Sequence, residues 1–345
     1  MAKYFMITNR NITGTTLGTN RASKVSYWLS DGPGPLDTLA NWGGKPVSQA
    51  EFKKQVLAAA QAFPDLPPDA HEGQKHVTLF VHGYNNTWQG AVNRYQQISE
   101  RLFEGDDGLG FCILFTWPSK GSPAEYLADR SEAEQSAGDL AGVLSDLYDF
   151  LSAIAVKTAA QPETACRAKT SMIAHSMGNY VLQKAAQVAW TRKNQPLLVS
   201  LLNQLLMVAA DVDNDLFKSG ESVDKSDGDA LANLTYRITA LYSGLDQVLG
   251  LSAGLKHFGK RRLGRSGLDR TVREPDNVWD IDCTPFFEAD QVGGFNAHGA
   301  YFDEQPTLDL IRQLLRGVDR SVLTVGKGLL SSAPVQAVAT TPRRS

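Results

Sequence analysis

The sequence is poor in cysteine and has no long apolar stretch. Its three cysteines, Cys112, Cys166 and Cys283, are scattered through 345 residues without the spacing of metal ligands, so they indicate neither a zinc site nor a disulfide framework. No run approaches the roughly 18 uninterrupted apolar residues that suggest a transmembrane helix. The first residues, MAKYFMITNRNITG, lack the basic segment and the apolar stretch of a signal peptide. We therefore predict a cytoplasmic protein without a membrane span.

An excess of charge of either sign is also missing. The chain has 34 basic and 37 acidic side chains, a formal net charge of -3 and a pI of about 6.1. A chain with this balance has no overall field that would attract nucleic acid or an anionic membrane. We expect a small-molecule partner, no nucleic acid, and no metal or organic cofactor. Nothing in the sequence indicates the oligomeric state.

Apolar strands and amphipathic helices alternate along the middle of the chain. The predicted strands include HVTLFV, FCILF, KTSMI, LLNQLLMV and LTYRITALY, and helical segments such as WQGAVNRYQQISERLF lie between the earlier ones. This alternation over roughly 150 residues predicts an α/β fold, with a mostly parallel central sheet covered by helices on both faces. On composition alone, LLNQLLMV could also be a helix.

The two ends of the chain are less regular. KYFMIT and KVSYWLS have the composition of short edge strands, separated by the turn-rich segment RNITGTTLGTNRAS. NVWDIDCTPFF is a candidate last strand and PTLDLIRQLLRG a candidate last helix. We predict a single domain over residues 1–319 with its core at 76–317. Residues 320–345 lose periodicity, which predicts a loosely ordered tail.

The pentapeptide AHSMG at positions 174–178 has the pattern of a turn that carries a nucleophile. It lies between the apolar segment KTSMI and the helical segment NYVLQKAAQ. The small residues Ala174 and Gly178 allow the close backbone approach of a sharp strand-to-helix turn, with Ser176 at its centre. The helix N-terminus adds N–H groups and the positive end of the helix dipole near this hydroxyl. Ser176 is therefore the candidate nucleophile.

A glycine-containing turn also follows the strand HVTLFV. The sequence His82-Gly83-Tyr84-Asn85 stands where hydrolases with such a serine turn donate one backbone N–H to the oxyanion, the second donor being the residue after the nucleophile. This order predicts Tyr84 and Met177 as the N–H donors of an oxyanion hole. We expect His82 to be structural, because it precedes this loop and does not follow the last strand.

A serine nucleophile needs a general base, normally a histidine. Of the six histidines, His257 and His298 remain once those that precede the sheet or flank the two turns are set aside. His298 lies on a glycine-flanked loop between the candidate last strand and last helix, from which it can reach Ser176. His257 precedes that strand and has basic neighbours that lower its basicity. We therefore favour His298.

The triad acid is expected between the nucleophile and the histidine, at the end of a strand. Asp246 follows LTYRITALYSG, whereas Asp211 and Asp213 follow the preceding strand. Because the strand next to last is the commoner source, Asp246 is the predicted acid, and the earlier pair are the alternatives. Asp211 could equally be a helix cap or a turn residue.

Four segments together resemble the DUF900 family of α/β-hydrolase proteins. They are VHGYNNTW, FTWPSKGSPAEYLADRSEAEQSA, SMIAHSMGNYVLQKA and LYSGLDQVL, and the resemblance runs from about His76 to His298. The TWPS segment with its following Tyr, Asp and Arg is the more family-specific part. The resemblance implies an α/β-hydrolase fold and a triad of Ser176, Asp246 and His298. One departure is Ala174, where many hydrolases have glycine.

These features lead us to expect a serine hydrolase of the carboxylesterase or lipase type. Ser176 would attack an ester carbonyl, and water would hydrolyse the acyl-enzyme. Because no long apolar lid is evident, short or medium acyl esters are favoured over bulk lipid. Trp117, Pro118 and Tyr126 either line the acyl pocket or pack on the core.

Other interpretations remain open at this point. The same triad could transfer the acyl group to an acceptor other than water, or cleave a thioester or an amide. The fold could also serve as a non-catalytic binding or scaffold module. The basic segment KHFGKRRLGRSGLDR, at 256–270, is either a lid or anion-accepting rim, or a solvated basic loop.

Overall fold

The computed structural model describes residues 3–32, 34–64, 73, 75–160, 168–193, 201–218, 228–271, 273–289, 291–325 and 328–329. The main strands are β1 (Tyr4–Thr13), β2 (Thr16–Ser30), β3 (His76–Val81), β4 (Gly110–Thr116), β5 (Lys169–His175), β6 (Leu202–Val208), β7 (Thr235–Tyr242) and β8 (Val278–Asp282). Within the described ranges these eight form one sheet, in the order β2-β1-β4-β3-β5-β6-β7-β8. β1 and β2 are antiparallel, and every other neighbouring pair is parallel.

Helices cover both faces of this sheet. They are α1 (Gln49–Gln61), α2 (Trp88–Ile98), α3 (Tyr126–Ala160), α4 (Gly178–Lys193), α5 (Asp229–Leu234), α6 (Gln247–Leu251), α7 (Leu263–Ser266), α8 (Thr284–Ala289) and α9 (Gln305–Leu315). On one face, α1, α3 and α4 bury Phe52, Leu140 and Val181 against the strands. On the other face, α2 and α9 bury Val92 and Ile311. This is the α/β-hydrolase fold that the sequence predicted.

The segment LLNQLLMV, which composition left undecided, forms β6. It lies between β5 and β7, and all its residues except Asn203 are buried. A parallel strand covered on both faces has an almost continuous apolar sequence and no apolar-polar alternation. That is why its composition resembles that of a buried helix.

The N-terminal residues form a longer hairpin than expected. β1 and β2 continue through most of the predicted turn-rich segment and meet at Gly14, whose φ is +62°. Their register shifts between Thr8 and Arg10 and again between Arg10 and Ile12, and such bulges redirect side chains within a strand. Only β2 lies at the edge of the sheet, because β1 pairs with β4 as well. The prediction that KYFMIT is an edge strand was therefore wrong.

The hydrogen bonds between β1 and β4 join the N-terminal hairpin to the main sheet. They support the single domain over residues 1–319, which remains our proposal. After it come a one-turn 3₁₀ helix (Arg320–Val322) and two short strands, β9 (Thr324–Val325) and β10 (Gly328–Leu329). Residues 326–327 and 330–345 lie outside the described residues, so the loosely ordered tail stays a prediction. None of the described helices is both long enough and apolar enough to cross a membrane.

Candidate active site

Ser176 occupies a strained turn between β5 and α4. Its φ is +53°, in the left-handed region that residues other than glycine seldom adopt. Two glycines make room for it. A Cβ atom on Gly178 would lie 2.6 Å from the carbonyl oxygens of Val81 and His82, and one on Gly83 would lie 2.6 Å from the Cβ of Ser176. The sharp strand-to-helix turn predicted from AHSMG is present.

Hydrogen bonds to β6, to the residues that follow it and to α4 hold this turn. The Ser176 N–H donates to the Val208 carbonyl at 3.0 Å, and the Ser176 carbonyl accepts from the Asp211 N–H at 3.1 Å. The side-chain amide of Asn179, fully buried, donates to the carbonyls of Ala174 at 2.8 Å and Ser176 at 3.1 Å. The sequence analysis did not single out Asn179, whose only signal was its position three residues after the serine.

Ser176, His298 and Asp246 form a continuous line of hydrogen bonds. His298 Nε2 lies 2.9 Å from the Ser176 hydroxyl oxygen, and His298 Nδ1 lies 2.7 Å from Asp246 Oδ2. Because a carboxylate can only accept, the proton of the imidazole belongs on Nδ1, and Nε2 presents a lone pair to the serine hydroxyl. The structure therefore brings together the three residues that the sequence predicted as nucleophile, base and acid.

Two short elements position the acid and the histidine. Asp246 follows β7 and caps α6, where its Oδ1 accepts from the Leu249 N–H at 3.0 Å. The Asp246 side chain is fully buried, whereas that of His298 is 13% exposed. His298 stands in a one-turn 3₁₀ helix, Asn296–His298, between β8 and α9. One carboxylate oxygen is thus engaged by the helix end, which leaves the other for the imidazole.

His175 contacts the segment that carries His298. Its Nε2 donates to the His298 carbonyl oxygen at 2.9 Å, and the two rings have centroids 4.9 Å apart. Burial, followed by the neighbouring His298, lowers the pKa of His175 well below its usual 6.5, so this ring is neutral at neutral pH. The contact fixes the backbone that carries the candidate base. The sequence analysis assigned His175 no role.

The two predicted oxyanion donors lie in segments that border Ser176. Tyr84 belongs to the loop between β3 and α2, which approaches the serine so closely at Gly83 that only glycine fits there. Met177 directly follows the serine and its side chain is buried. The donor roles of Tyr84 and Met177 remain predictions.

Asp211, the alternative acid, is engaged in a buried network. Its carboxylate accepts from Arg262 Nε at 2.9 Å, from the Ser252 hydroxyl at 2.9 Å and from the Tyr126 hydroxyl at 2.6 Å. Burial alone would raise the pKa of Asp211, but the charge of Arg262 and these hydrogen bonds hold that pKa below its usual value. Both carboxylate oxygens are therefore occupied by partners other than a histidine.

The basic segment at 256–270 is anchored to the protein interior at Arg262. Arg262 is fully buried and bridges Asp211 and Asp213, the second alternative acid, which also pairs with Lys260 at 3.0 Å. Arg265 donates to the main-chain carbonyl of Asp246. Arg262 is thus neither a solvated charge nor part of an anion-accepting rim, because its carboxylate partners belong to the chain itself.

His257, the alternative base, contacts Tyr126. Its Nε2 lies 2.7 Å from the Tyr126 hydroxyl. Because that hydroxyl gives its only proton to Asp211, His257 Nε2 must be the donor in this contact. Burial, followed by the charge of Arg262, lowers the pKa of His257 to about 4. The Tyr126 ring also packs edge-on against Tyr84 at 5.3 Å, so this network reaches the loop beside the serine.

Trp117 packs against His82, at the start of the loop between β3 and α2. Its ring is fully buried and stacks on His82 at 5.3 Å, and its Nε1 donates to the His82 carbonyl at 2.9 Å. Pro118 is buried as well. The stacking on His82 and the hydrogen bond to its carbonyl favour the core-packing interpretation for Trp117. Burial, followed by the charge of Arg10, lowers the pKa of His82 to about 3, in keeping with a structural histidine.

The described residues contain no group of three or more His, Cys, Asp or Glu side chains that could hold a metal ion. Cys112 and Cys283 are buried free thiols. Cys166 lies outside the described residues.

Comparisons with known proteins identify a family. The model of the family described as "Alpha/beta hydrolase of unknown function (DUF900)" matches residues 66–314. The uncharacterized protein alr1448 of Nostoc sp. is 26% identical over 306 residues. The match covers 72% of this chain and 76% of that protein.

Solved structures of α/β hydrolases are also similar, at low identity. The Pyrobaculum calidifontis esterase is 12% identical, with 78% of this chain and 91% of that chain covered and a TM-score of 0.37. The RedJ thioesterase of the prodiginine pathway in Streptomyces coelicolor is 12% identical, with 81% and 98% covered and a TM-score of 0.33. Aspergillus fumigatus lipase B is 10% identical, with 73% and 55% covered and a TM-score of 0.38.

Proposed function

The chain belongs to the DUF900 family of alpha/beta hydrolases, and on that premise we propose that it is a serine hydrolase that cleaves carboxylic esters through Ser176, His298 and Asp246. The observation that carries the proposal is the line of hydrogen bonds from the serine hydroxyl through both imidazole nitrogens to the carboxylate. A hydroxyl that donates to a neutral imidazole, itself held by a carboxylate, is the arrangement that activates serine for attack.

In the acylation step, Ser176 Oγ attacks the carbonyl carbon of the ester while His298 Nε2 takes the hydroxyl proton. The negative charge that develops on the carbonyl oxygen is stabilised by the N–H groups of Tyr84 and Met177. When the tetrahedral intermediate collapses, the bond from carbon to the alcohol oxygen breaks. His298 gives its proton to the departing alcohol, and the acyl group stays on Ser176.

In the deacylation step, water attacks the acyl-enzyme and His298 takes one of its protons. The carboxylic acid leaves, and Ser176 regains its proton from the imidazolium. Asp246 remains a carboxylate throughout and stabilises the charged imidazole. Every proton in this cycle is moved by the chain's own residues, and the proposal includes no metal or organic cofactor.

The proposed substrate is a small ester with a short or medium acyl chain. Tyr126, whose ring contacts Tyr84, is the aromatic residue that we propose to border the acyl group. Its hydroxyl is held by Asp211, so the ring has a fixed orientation beside the loop of the proposed oxyanion donors. Trp117 supports that loop through its stacking on His82 and its hydrogen bond to the His82 carbonyl.

A fluorophosphonate probe tests the proposed nucleophile. Wild-type protein should be labelled on Ser176, and labelling should vanish in Ser176→Ala. Ser171→Ala is the matched control, because Ser171 is a buried serine on β5, the strand that leads into the Ser176 turn, and it should be labelled like wild type. Correctly folded wild-type protein that takes up no label would contradict the proposal and point to a binding module.

A panel of p-nitrophenyl esters of increasing chain length tests the proposed substrate class. Turnover should be highest for the short and medium chains and absent in Ser176→Ala. Faster cleavage of thioesters or amides than of matched esters would contradict the ester assignment. An acyl product on an added alcohol, formed at the expense of the free acid, would identify an acyltransferase instead.

A further inference from the structure

Two loops meet beside Ser176. Residues 82–87, which we call the oxyanion loop, connect β3 to α2, and residues 117–120, which we call the β4 loop, follow β4. The hydroxyl of Ser119 accepts from the Asn86 N–H at 3.1 Å. The two loops are therefore joined directly, and a group that holds one of them also acts on the other.

Asp129, near the start of α3, accepts hydrogen bonds from main-chain N–H groups of both loops. Its buried carboxylate accepts from the Asn85 N–H at 3.1 Å, from the Lys120 N–H at 2.7 Å and from the Ser119 hydroxyl at 2.5 Å. Asn85 has a φ of +57°, which is unusual for a residue other than glycine. Hydrogen bonds to an ionised acceptor are strong enough to hold such a conformation.

Arg10, on β1, donates hydrogen bonds to main-chain carbonyl groups of the same loops. Its guanidinium donates to the Asn86 carbonyl at 2.9 Å, to the Ser119 carbonyl at 3.3 Å and to the Thr116 hydroxyl at 3.0 Å. A fourth bond, at 3.1 Å, reaches the Gly18 carbonyl on β2. Arg10 is only 1% exposed, and all four of these acceptors are neutral oxygens.

The direction of the Tyr84 N–H is set by the hydrogen bonds of the two peptide planes around it. The peptide plane that carries this N–H also carries the Gly83 carbonyl, and in a trans peptide the two groups point in opposite directions. The Gly83 carbonyl accepts from His82 Nδ1 at 2.7 Å and from the Asn86 side chain at 3.1 Å. The following plane is held through the Tyr84 carbonyl at 2.9 Å and through the N–H that Asp129 binds. Both planes around Tyr84 are therefore fixed.

We propose that Arg10 and Asp129 are positioning residues, which hold the oxyanion loop so that the Tyr84 N–H faces the oxyanion formed at Ser176. This role rests on the proposed serine hydrolase function. Arg10 lies outside the matched residues 66–314, so the N-terminal hairpin supplies part of the site.

The unfavourable burial of the two charges supports a role beyond packing. Burial lowers the pKa of Arg10 to about 9, although the charge of Asp129 opposes this shift. Apolar side chains of similar size often fill such a space with equal or better stability. Charged groups, in contrast, fix the orientation of backbone dipoles, and preorganised dipoles are what stabilise a developing oxyanion.

The test compares Asp129→Asn with Asp139→Asn in the full chain. Asp139 lies on the same helix, pairs with Arg21 at 2.7 Å and accepts from the Asn9 side chain at 2.8 Å. Neither partner belongs to the two loops, so it is a matched control. An asparagine at 129 keeps the size but places an NH₂ group or a weaker acceptor opposite the loop N–H groups. We expect kcat for p-nitrophenyl acetate to fall by about 10- to 100-fold with KM nearly unchanged, because the loop binds the transition state more than the substrate.

A trifluoromethyl ketone separates positioning from a general structural defect, because it forms a tetrahedral oxyanion on the serine. In Asp129→Asn its inhibition constant should rise by the factor by which kcat/KM falls, and in Asp139→Asn neither should change. Arg10→Met should behave like Asp129→Asn, and Arg10→Lys should lose less. If Arg10→Met does not fold, Arg10→Lys takes its place, with circular dichroism as the check on folding.

Two results would overturn the positioning role. One is equal kinetics in the two aspartate variants, and the other is a fall in kcat while the affinity for the ketone stays at the wild-type value. A wild-type protein that shows neither ester hydrolysis nor fluorophosphonate labelling is a different result. It contradicts the proposed function itself, and the positioning role with it.

Discussion

His298 Nδ1 lies 2.7 Å from one carboxylate oxygen of Asp246, and the other oxygen of that carboxylate accepts the Leu249 N–H at 3.0 Å. The N-terminal end of α6 therefore fixes which oxygen faces the imidazole. In Asp246→Asn, the side-chain NH₂ can face Nδ1, which would move the imidazole proton to Nε2 and remove the lone pair offered to Ser176. We expect kcat to fall by about 10³- to 10⁴-fold, measured by steady-state ester hydrolysis.

Asp211→Asn is the matched control for this prediction, since Asp211 is equally buried but serves Arg262 and Tyr126. It should retain far more activity than Asp246→Asn. A nearly wild-type rate in Asp246→Asn together with an inactive Asp211→Asn would reverse the assignment of the acid.

The buried pair of Arg262 and Asp211 should matter for stability. In Arg262→Met, the Asp211 carboxylate stays buried without its cation, and a broken buried pair typically lowers the free energy of unfolding by about 3–5 kcal/mol. Urea unfolding at neutral pH measures this loss. The double variant Arg262→Met/Asp211→Asn should recover part of it, because the uncompensated charge is gone. Equal stability of wild type and Arg262→Met would contradict the prediction.

Gly83 should tolerate no side chain. A Cβ atom there would lie 2.6 Å from the Cβ and 3.1 Å from the Oγ of Ser176, so in Gly83→Ala either the serine or the oxyanion loop must move. We expect kcat to fall by about 10²- to 10³-fold, as for loss of an oxyanion donor, and the free energy of unfolding to fall by about 1–3 kcal/mol, as for other overpacked buried sites. Gly90→Ala, at the start of α2 with no new contact under 3.5 Å, should keep wild-type activity.

Some of the site was predictable because its signals are local. The turn at AHSMG is indicated by five adjacent residues, and the strand before it and the helix after it have clear periodicity. The order of nucleophile, acid and histidine then led to Asp246 and His298. In the structure His298 is within hydrogen-bond distance of both Asp246 and Ser176. Each inference needed only local sequence and the chain order of a known fold.

The supporting residues were not predictable in this way. Arg10 and Asp129 reach the same two loops only because β1 lies next to β4, and no pattern near Arg10 indicates a buried charge. Arg262 stands in a basic run, which normally predicts a solvated segment. Its burial depends on Asp211 and Asp213, which are distant from it in sequence and are brought next to it by folding.

Four histidines are held neutral by the fold. Burial is the first cause for each, and it lowers the pKa of His76 and His82 to about 3, that of His257 to about 4 and that of His175 well below 6.5. His76 is 1% exposed, and its Nδ1 lies 2.6 Å from the Ser171 hydroxyl oxygen. In the unfolded chain each of these imidazoles returns to an ordinary pKa of about 6.5.

The protein should therefore lose stability as the pH falls from about 6.5 toward 3, because over that range the unfolded chain binds protons that the folded chain does not. Each fully buried histidine, such as His76, adds a slope of up to about 1.4 kcal/mol per pH unit. In His76→Gln one of these groups is gone, so the fall in unfolding free energy between pH 6 and pH 5, followed by urea unfolding, should be shallower by about that amount. Lys75→Gln, which changes the neighbouring residue and leaves the His76 imidazole in place, should keep the wild-type slope. Equal slopes in wild type and His76→Gln would mean that His76 is protonated in the folded protein.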